Sequence, residues 1–232
     1  NAMGGRTVLE SVHVLKLSGV EQRNMLEQST RPEGPWIPDY RQFEETRDFD
    51  HDVRHVKRSA RSVVYGVARL NSSDWNESEI TIDRSAVVFA RGGNRAPGPA
   101  TELTSTEEFF TLDPLRILLH AAAAPDLHTE PDVDVHGVRH HVLAWQWNDG
   151  PMRVLINADS GLPDEIEWTR SYPYSFFLSV WGDIKNRLSF DVWMLEPGGL
   201  RYPRLWSLER NGQPARQISI TSVALNPEGA MV

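Results

Sequence analysis

The chain has 232 residues, of which 40% are hydrophobic and 24% are charged, values typical of a soluble globular protein with one large β domain or two small ones. Its formal net charge of −8 argues against a nucleic-acid partner, because phosphate binding requires clustered Lys and Arg. The absence of Cys excludes thiol catalysis, disulfides and thiolate metal sites, and no apolar run approaches the roughly 20 residues that a membrane-spanning helix needs.

The first hundred residues predict a short helix followed by strands. Residues 4–11 have a helical pattern, and residues 13–17 a strand pattern. Residues 40–56 are charged and predict one long strand, and further strands are predicted at 61–67 and 79–90. Segments rich in Pro and Gly predict loops at 31–38 and 91–99.

A helical region follows. Ser105 and Glu108 have the spacing of a capping box, and Asp113-Pro114 is typical of a second helix start. Beyond it, an apolar stripe predicts which side chains face the sheet: Leu115, Leu118, Leu119, Ala122 and Ala123. Ile117 and His120 lie off this stripe.

The last hundred residues predict a meander of antiparallel strands. Alternating polar and apolar runs are separated by Asn148-Asp149-Gly150, by residues 159–163 and by residues 211–214. Asn-Gly and Asp-Gly between such runs are strong hairpin signals, because these residues accept the positive φ of primed turns. The predicted strands are residues 139–147, 152–158, 165–172, 202–210 and 215–225.

Candidate metal ligands lie in two groups, and we expect no metal or cofactor in either. His51 and His55 on one strand would be about 13 Å apart at 3.3 Å per residue, and His140 and His141 point to opposite faces of theirs. The run Asp48, Asp50, Asp52 lacks the glycine and the final glutamate of a calcium loop, and Asp164-Glu165 is interpreted as a pair of turn residues.

The aromatic faces of the C-terminal strands are more informative. They predict either a plain hydrophobic core or an apolar cavity between sheet and helices. If there is a cavity, its lining is predicted to come from three neighbouring strands: Trp145, Trp147, Met152, Val154 and Trp168.

Several segments together resemble the periplasmic lipoprotein-carrier (LolA-like) half-barrel. They are residues 4–12 with the strand ending Leu17-Ser18-Gly19, residues 156–163, which are similar to the family pattern I-D-x-x-T-G-L-P, and residues 195–203 and 218–227. More narrowly, the chain resembles the non-catalytic N-terminal domain of secreted bacterial metallo-β-lactamase-fold proteins. The zinc motif of those hydrolases, H-x-H-x-D-H, is absent from this sequence.

The resemblance implies a mainly β fold: a curved antiparallel incomplete barrel with helices covering its concave face. We interpret residues 1–3 as an expression-tag remnant, 4–227 as a single half-barrel domain, and 228–232 as a tail or the start of a linker. The implied function is non-catalytic binding of an apolar or acyl ligand, or packing against a C-terminal catalytic domain, in the periplasm or outside the cell. The alternative is a hydrolase whose metal or Asp/His site is not visible as a motif.

Overall fold

The structure is a computed structural model that describes residues 2–26, 33–62, 76–98, 101–148, 150–171 and 183–229. Its helices are α1 (Arg6–Glu10), α2 (Thr101–Thr111), α3 (Ile117–Ala123) and a short 3-10 helix (Pro197–Gly199). Its strands are β1 (Val14–Met25), β2 (Ile37–Asp48), β3 (Val53–Ser62), β4 (Asn76–Ile82), β5 (Val87–Arg91), β6 (Asn94–Pro97), β7 (His128–Val135), β8 (Val138–Trp147), β9 (Gly150–Asn157), β10 (Pro163–Ser171), β11 (Asp183–Leu195), β12 (Arg201–Arg210) and β13 (Gln213–Leu225).

Thirteen strands of the described residues form one sheet in the order β6-β5-β4-β3-β2-β1-β13-β12-β11-β10-β9-β8-β7. The described strand pairs are antiparallel. The predicted class, a mainly β protein built on an antiparallel sheet, is therefore confirmed.

The predicted C-terminal meander is confirmed by β8, β9, β10, β12 and β13, whose bounds differ from the predicted ones by a few residues. The turn chemistry explains this agreement. Asn148 adopts a φ of 52° between β8 and β9, and Asn211 and Gly212 adopt 49° and 75° between β12 and β13. Two consecutive positive φ values are the geometry of a primed hairpin turn. Tyr172, the predicted end of β10, lies outside the described residues.

The prediction of one strand over residues 40–56 was wrong, because β2 and β3 form a hairpin there. The carboxylate of Asp48 accepts the backbone N–H groups of Asp50 and His51, each at 3.0 Å, which is the local bonding by which Asp initiates turns. Asp52 then adopts a φ of 53°. Asp48 therefore ends β2, and Asp50 and Asp52 are turn residues.

Residues 79–90 also form a hairpin, since β4 and β5 are joined by a turn at Asp83, whose side chain accepts the N–H groups of Ser85 and Ala86 at 2.8 Å. The predicted loop 91–99 contains β6. Residues 63–67 of the predicted strand 61–67 lie outside the described residues.

The helix α2 begins at Thr101, so Ser105 lies inside the helix rather than at its start. The predicted stripe of the next helix was wrong in part. Leu115 is buried and His120 exposed, as expected, and Leu118 and Leu119 are half-buried. However, Ile117 and Ala121 are buried, whereas Ala122 and Ala123 are exposed. Residues 113–116 form a turn, in which the carbonyl of Asp113 accepts the N–H of Ile117 at 2.9 Å. Helix α3 therefore starts at Ile117, two residues after Leu115, the first residue of the predicted stripe.

The chain divides into two compact units. Unit 1 comprises residues 1–11 and 111–212 and holds α1, α3 and β7–β12. Unit 2 comprises residues 12–110 and 213–232 and holds β1–β6, α2 and β13. In unit 2, Leu103 of α2 packs against a buried cluster of Ile80, Ile82 and Val87. The single-domain assignment of residues 4–227 stays a prediction.

Candidate functional site

The residues predicted to line a cavity come together in unit 1 through strand register. Trp145 of β8 lies opposite Met152 of β9, which lies opposite Trp168 of β10. Val154 occupies the next row, opposite Leu143 and Ile166. Side chains two residues apart on a strand share a face. One apolar surface, which we call the tryptophan row, is therefore formed by Trp145, Trp147, Met152, Val154 and Trp168.

Four members of the tryptophan row are core residues. Trp145, Met152, Val154 and Trp168 are at most 4% exposed. Trp147 is only half-buried, and the guanidinium of Arg170 lies 5.3 Å from its ring centroid. A ligand can enter this row only where the packing of large side chains opens.

The apolar surface continues onto β11 and β12. Leu188 lies opposite Ile166, and the rings of Phe190 and Trp206 meet edge to face with centroids 5.3 Å apart. Tyr202 lies beside Trp206, with ring centroids 6.1 Å apart. Unit 1 therefore has an interior dominated by aromatic side chains, which provide a large apolar area with few polar contacts.

A polar cluster elsewhere in unit 1 contains Asp164 and Glu165, which were predicted to be turn residues but lie in strand β10. Asp164 lies at a register irregularity of β10 between Pro163 and Glu165, as expected of a β-bulge, which re-aims side chains. Its carboxylate lies 3.3 Å from Nε2 of buried His140 and accepts the side-chain N–H of Asn157 at 2.7 Å. Burial raises the pKa of the neighbouring Glu165, and the charge of Arg187 offsets part of that rise.

This cluster brings together an Asp and a His side chain, as the hydrolase alternative requires. The signal that could have revealed it is Pro163, which interrupts the ladder at the start of a strand. His140 is buried and His141 exposed, which confirms that they point to opposite faces.

The other histidines are dispersed. His51 lies in the turn between β2 and β3 and contacts the carboxylate of Asp48 at 2.8 Å, while Nδ1 of His55 lies 2.9 Å from the hydroxyl of Thr81. His141 contacts Asp132 at 3.0 Å. Among the described residues, no three His, Asp or Glu side chains could together hold a metal ion.

A second group of charged residues is buried in unit 2, and the sequence did not predict it. Glu45 forms ion pairs with Arg47 and, at 2.7 Å, with Arg54. Burial alone would raise the pKa of Glu45, but the charges and hydrogen bonds of the two arginines lower it to about 2. The guanidiniums of Arg47, Arg54 and Arg216 lie 5.1, 4.0 and 5.3 Å from the ring centroid of Phe109. The feature of the sequence that could have revealed this group is an alternation of charged and aromatic residues along one strand face: Asp39, Arg41, Phe43, Glu45 and Arg47.

Unit 2 also carries an open groove of about 1020 Å³. Its lining mixes acidic and basic side chains, including Glu44, Lys57, Glu79 and Arg95. Lys57 and Glu79 pair with each other at 3.6 Å. This groove therefore offers neither an apolar lining nor a single sign of charge.

The fold is similar to that of a known structure. A crystal structure of a proposed outer membrane lipoprotein-sorting protein domain from Vibrio parahaemolyticus matches with a TM-score of 0.52. The match covers 98% of this chain and 94% of that one, at 8% sequence identity. At this identity the similarity shows the fold alone, and it supports the LolA-like resemblance at the level of architecture.

Other comparisons add little. The structure of PNGF-II matches with a TM-score of 0.18, covering 93% of this chain and 29% of that one at 10% identity, and a score this low does not establish a shared fold. No protein-family model and no curated protein matches the chain. None of the described helices has the length and apolarity to cross a membrane.

Proposed function

We propose that this chain is a non-catalytic domain that binds an apolar ligand, with an acyl chain as the ligand class. The observation that supports the proposal best is the near full-length fold similarity to a lipoprotein-sorting domain, because such a domain handles a lipid-bearing cargo. The tryptophan row supplies the second support, since it places large apolar side chains from three strands on one surface.

The energetics favour a long ligand. Burial of an acyl chain gains about 0.8 kcal/mol per methylene, so each methylene that leaves water for the apolar surface adds to the affinity, and a longer chain gains more. Met152 at the centre of the row suits such exchange, because its unbranched side chain adapts to irregular spaces. Trp145, Trp147, Val154 and Trp168 complete the proposed lining.

The cellular setting follows from the same resemblance. We propose a periplasmic or secreted location in a bacterium, tested by fractionation of cells that express the full reading frame. The narrower possibility, an accessory domain of a metallo-β-lactamase-fold hydrolase, depends on the sequence resemblance alone. A reading frame that encodes H-x-H-x-D-H after Val232 would support it.

The binding experiment is a titration with a long-chain fatty acid brominated near its end, which quenches nearby indole fluorescence. We expect saturable quenching in the wild type and a smaller maximum in the Trp145→Phe and Trp168→Phe variants. These conservative changes keep the surface apolar, so the variants are expected to fold.

Val154→Asp, checked for folding by circular dichroism, should weaken binding about ten-fold or more, because a carboxylate in an apolar site must be desolvated. Val192→Asp is the matched control, since Val192 is exposed in the same unit and outside the row. Absence of saturable quenching in the wild type would overturn the proposal.

A further inference from the structure

Four arginines lie close together on one face of unit 2. Arg216 of β13 lies directly opposite Arg23 of β1 in the strand register. On the same face, Arg41 of β2 lies two residues beyond Asp39, the partner of Arg23. Arg58 of β3 lies opposite Phe43, two residues beyond Arg41. We call these four residues the arginine cluster.

The helix α2 covers this face. The ring centroid of Phe109 lies 5.3 Å from the guanidinium of Arg216, and a carboxylate oxygen of Glu102 lies 3.7 Å from that of Arg58. The arginine cluster is therefore only partly open to water: its side chains are between 15% and 42% exposed, with Arg41 the most buried and Arg23 the least.

Positive charge is in excess on this face. The described residues of β1, β2, β3 and β13 place six arginines on it, the cluster together with the buried Arg47 and Arg54, against three carboxylates, those of Glu21, Asp39 and Glu45. Glu102 of α2, which lies 3.7 Å from Arg58, adds a fourth carboxylate and still leaves more arginines than carboxylates. A local excess of positive charge in a chain of net charge −8 requires a specific cause.

The guanidiniums are held in place. Nε and Nη2 of Arg41 both donate to one oxygen of Asp39, at 3.0 and 2.8 Å, and Nε of Arg216 lies 3.0 Å from Glu21. Nε of Arg58 donates to the hydroxyl of Ser78 at 3.3 Å. A guanidinium has five N–H donors in a rigid plane, so contacts on one edge fix its orientation toward a ligand at another edge.

Mutual repulsion among these groups is consistent with a place for an anion. Burial and then the charges of Arg216 and Arg41 lower the pKa of Arg23 to about 9. Because 42% of the Arg23 side chain is exposed, water moderates the burial effect, and the repulsion is the relevant part. Burial and the charge of Arg41 likewise lower the pKa of Arg58.

We propose that Arg23, Arg41, Arg58 and Arg216 form a binding site for a phosphate or carboxylate oxyanion. The planar guanidinium fork matches both groups, and a bound anion would relieve the repulsion within the cluster. Ile218, which lies opposite Glu21 on the same face, provides apolar surface for an organic group attached to the anion. The inference concerns unit 2 alone and does not depend on acyl binding by the tryptophan row.

The test is calorimetric titration of the full chain, at low salt, with inorganic phosphate, decyl phosphate, decanoate and decanol. We expect saturable binding of the anions that weakens as ionic strength rises, and weaker binding of decanol. Equal affinity for inorganic and decyl phosphate would identify a site for the free oxyanion. Tighter binding of decyl phosphate that the arginine variants weaken would identify a site for the head group of an amphiphile.

Arg23→Met and Arg58→Met should each weaken anion binding about ten-fold or more, which is the effect of losing a charge-assisted hydrogen bond. The anion affinity of Arg23→Lys should lie between those of the wild type and Arg23→Met, because lysine keeps the positive charge but lacks the planar guanidinium. Arg95→Met is the matched control, since Arg95 is an exposed arginine of β6 in the same unit.

Three results would overturn the proposal: no saturable anion binding by the wild type, anion affinity unchanged in both arginine variants, or an equal loss in Arg95→Met. Arg23 is the most exposed member of the cluster, so Arg23→Met is expected to fold even if Arg58→Met does not. Inorganic phosphate carries no alkyl chain, so its binding to the wild type tests the arginine cluster without any contribution from the tryptophan row.

Discussion

The hydroxyl of Tyr202 donates a hydrogen bond to the carboxyl group of Asp113 at 3.1 Å, and both residues are fully buried. Tyr202 belongs to β12 and Asp113 to the turn before α3, 89 residues away in the chain. Asp113 also accepts the backbone N–H of Leu115 at 2.8 Å. One side chain thus shapes the turn and joins it to the sheet of unit 1.

Tyr202→Phe should lower the free energy of unfolding by about 1–3 kcal/mol, because a buried acceptor loses its donor while the ring is retained. Urea denaturation followed by tryptophan fluorescence measures this loss. Tyr40→Phe is the control, since Tyr40 is exposed, and it should change stability by less than about 0.5 kcal/mol. Equal effects of the two substitutions would show that the buried bond contributes nothing.

The orientation of α3 makes a second prediction. Ile117→Ala should destabilise the protein by about 2–5 kcal/mol, because it removes a fully buried side chain and leaves a cavity. Leu118→Ala, at a half-buried neighbour, should cost clearly less. Thermal melts of both variants test this order, and the reverse order would restore the stripe predicted from sequence.

The buried ion pairs of Glu45 predict a loss of stability in acid. Its pKa is about 2 in the folded protein against an ordinary value of 4.5, so the unfolded chain takes up the proton first as pH falls. The contribution is fully present above the ordinary pKa and is lost as pH falls from about 5 to 2. It amounts to something on the order of 3 kcal/mol.

Glu45→Gln should therefore flatten the dependence of unfolding free energy on pH in that interval. It should also lower stability at neutral pH, because Arg47 and Arg54 would stay buried after losing the negative charge of Glu45. Urea melts between pH 2 and 6 measure both effects. Glu44→Gln changes an exposed neighbour and serves as the control. Identical pH profiles for the two variants would contradict the assigned role of Glu45.

Backbone strain at Val192 predicts a stabilising substitution. Val192 has a φ of 56° within β11, a conformation that costs a β-branched residue roughly 1–2 kcal/mol and that Asn tolerates better. Its side chain is 60% exposed, so Val192→Asn loses little burial and should raise the melting temperature. Val88→Asn, at an exposed strand valine whose φ is not positive, should lower it. A lower melting temperature for both variants would show that Val192 is not strained.

The sequence by itself determined the local structure of this protein. Asn148 between alternating strands, and the alternation within residues 139–158, predicted the β8–β9 hairpin because turn chemistry and side-chain period act between neighbours in the chain. Alternation within each of three predicted strands also placed Trp145, Met152 and Trp168 on one surface. Their role in binding stays a prediction, because alternation does not distinguish a packed core from a cavity.

Only the tertiary structure decided which charged residues are buried and which side of α3 faces inward. Glu45 and Arg54 look like surface residues in the sequence. Glu45 is paired with Arg54 of β3, 9 residues away, and Arg54 lies against Phe109 of α2, 55 residues away. The arginine cluster arises in the same way, since Arg216 and Arg23 become neighbours only when β13 pairs with β1. Pairing between distant strands fixes these contacts, and no local preference of the chain encodes it.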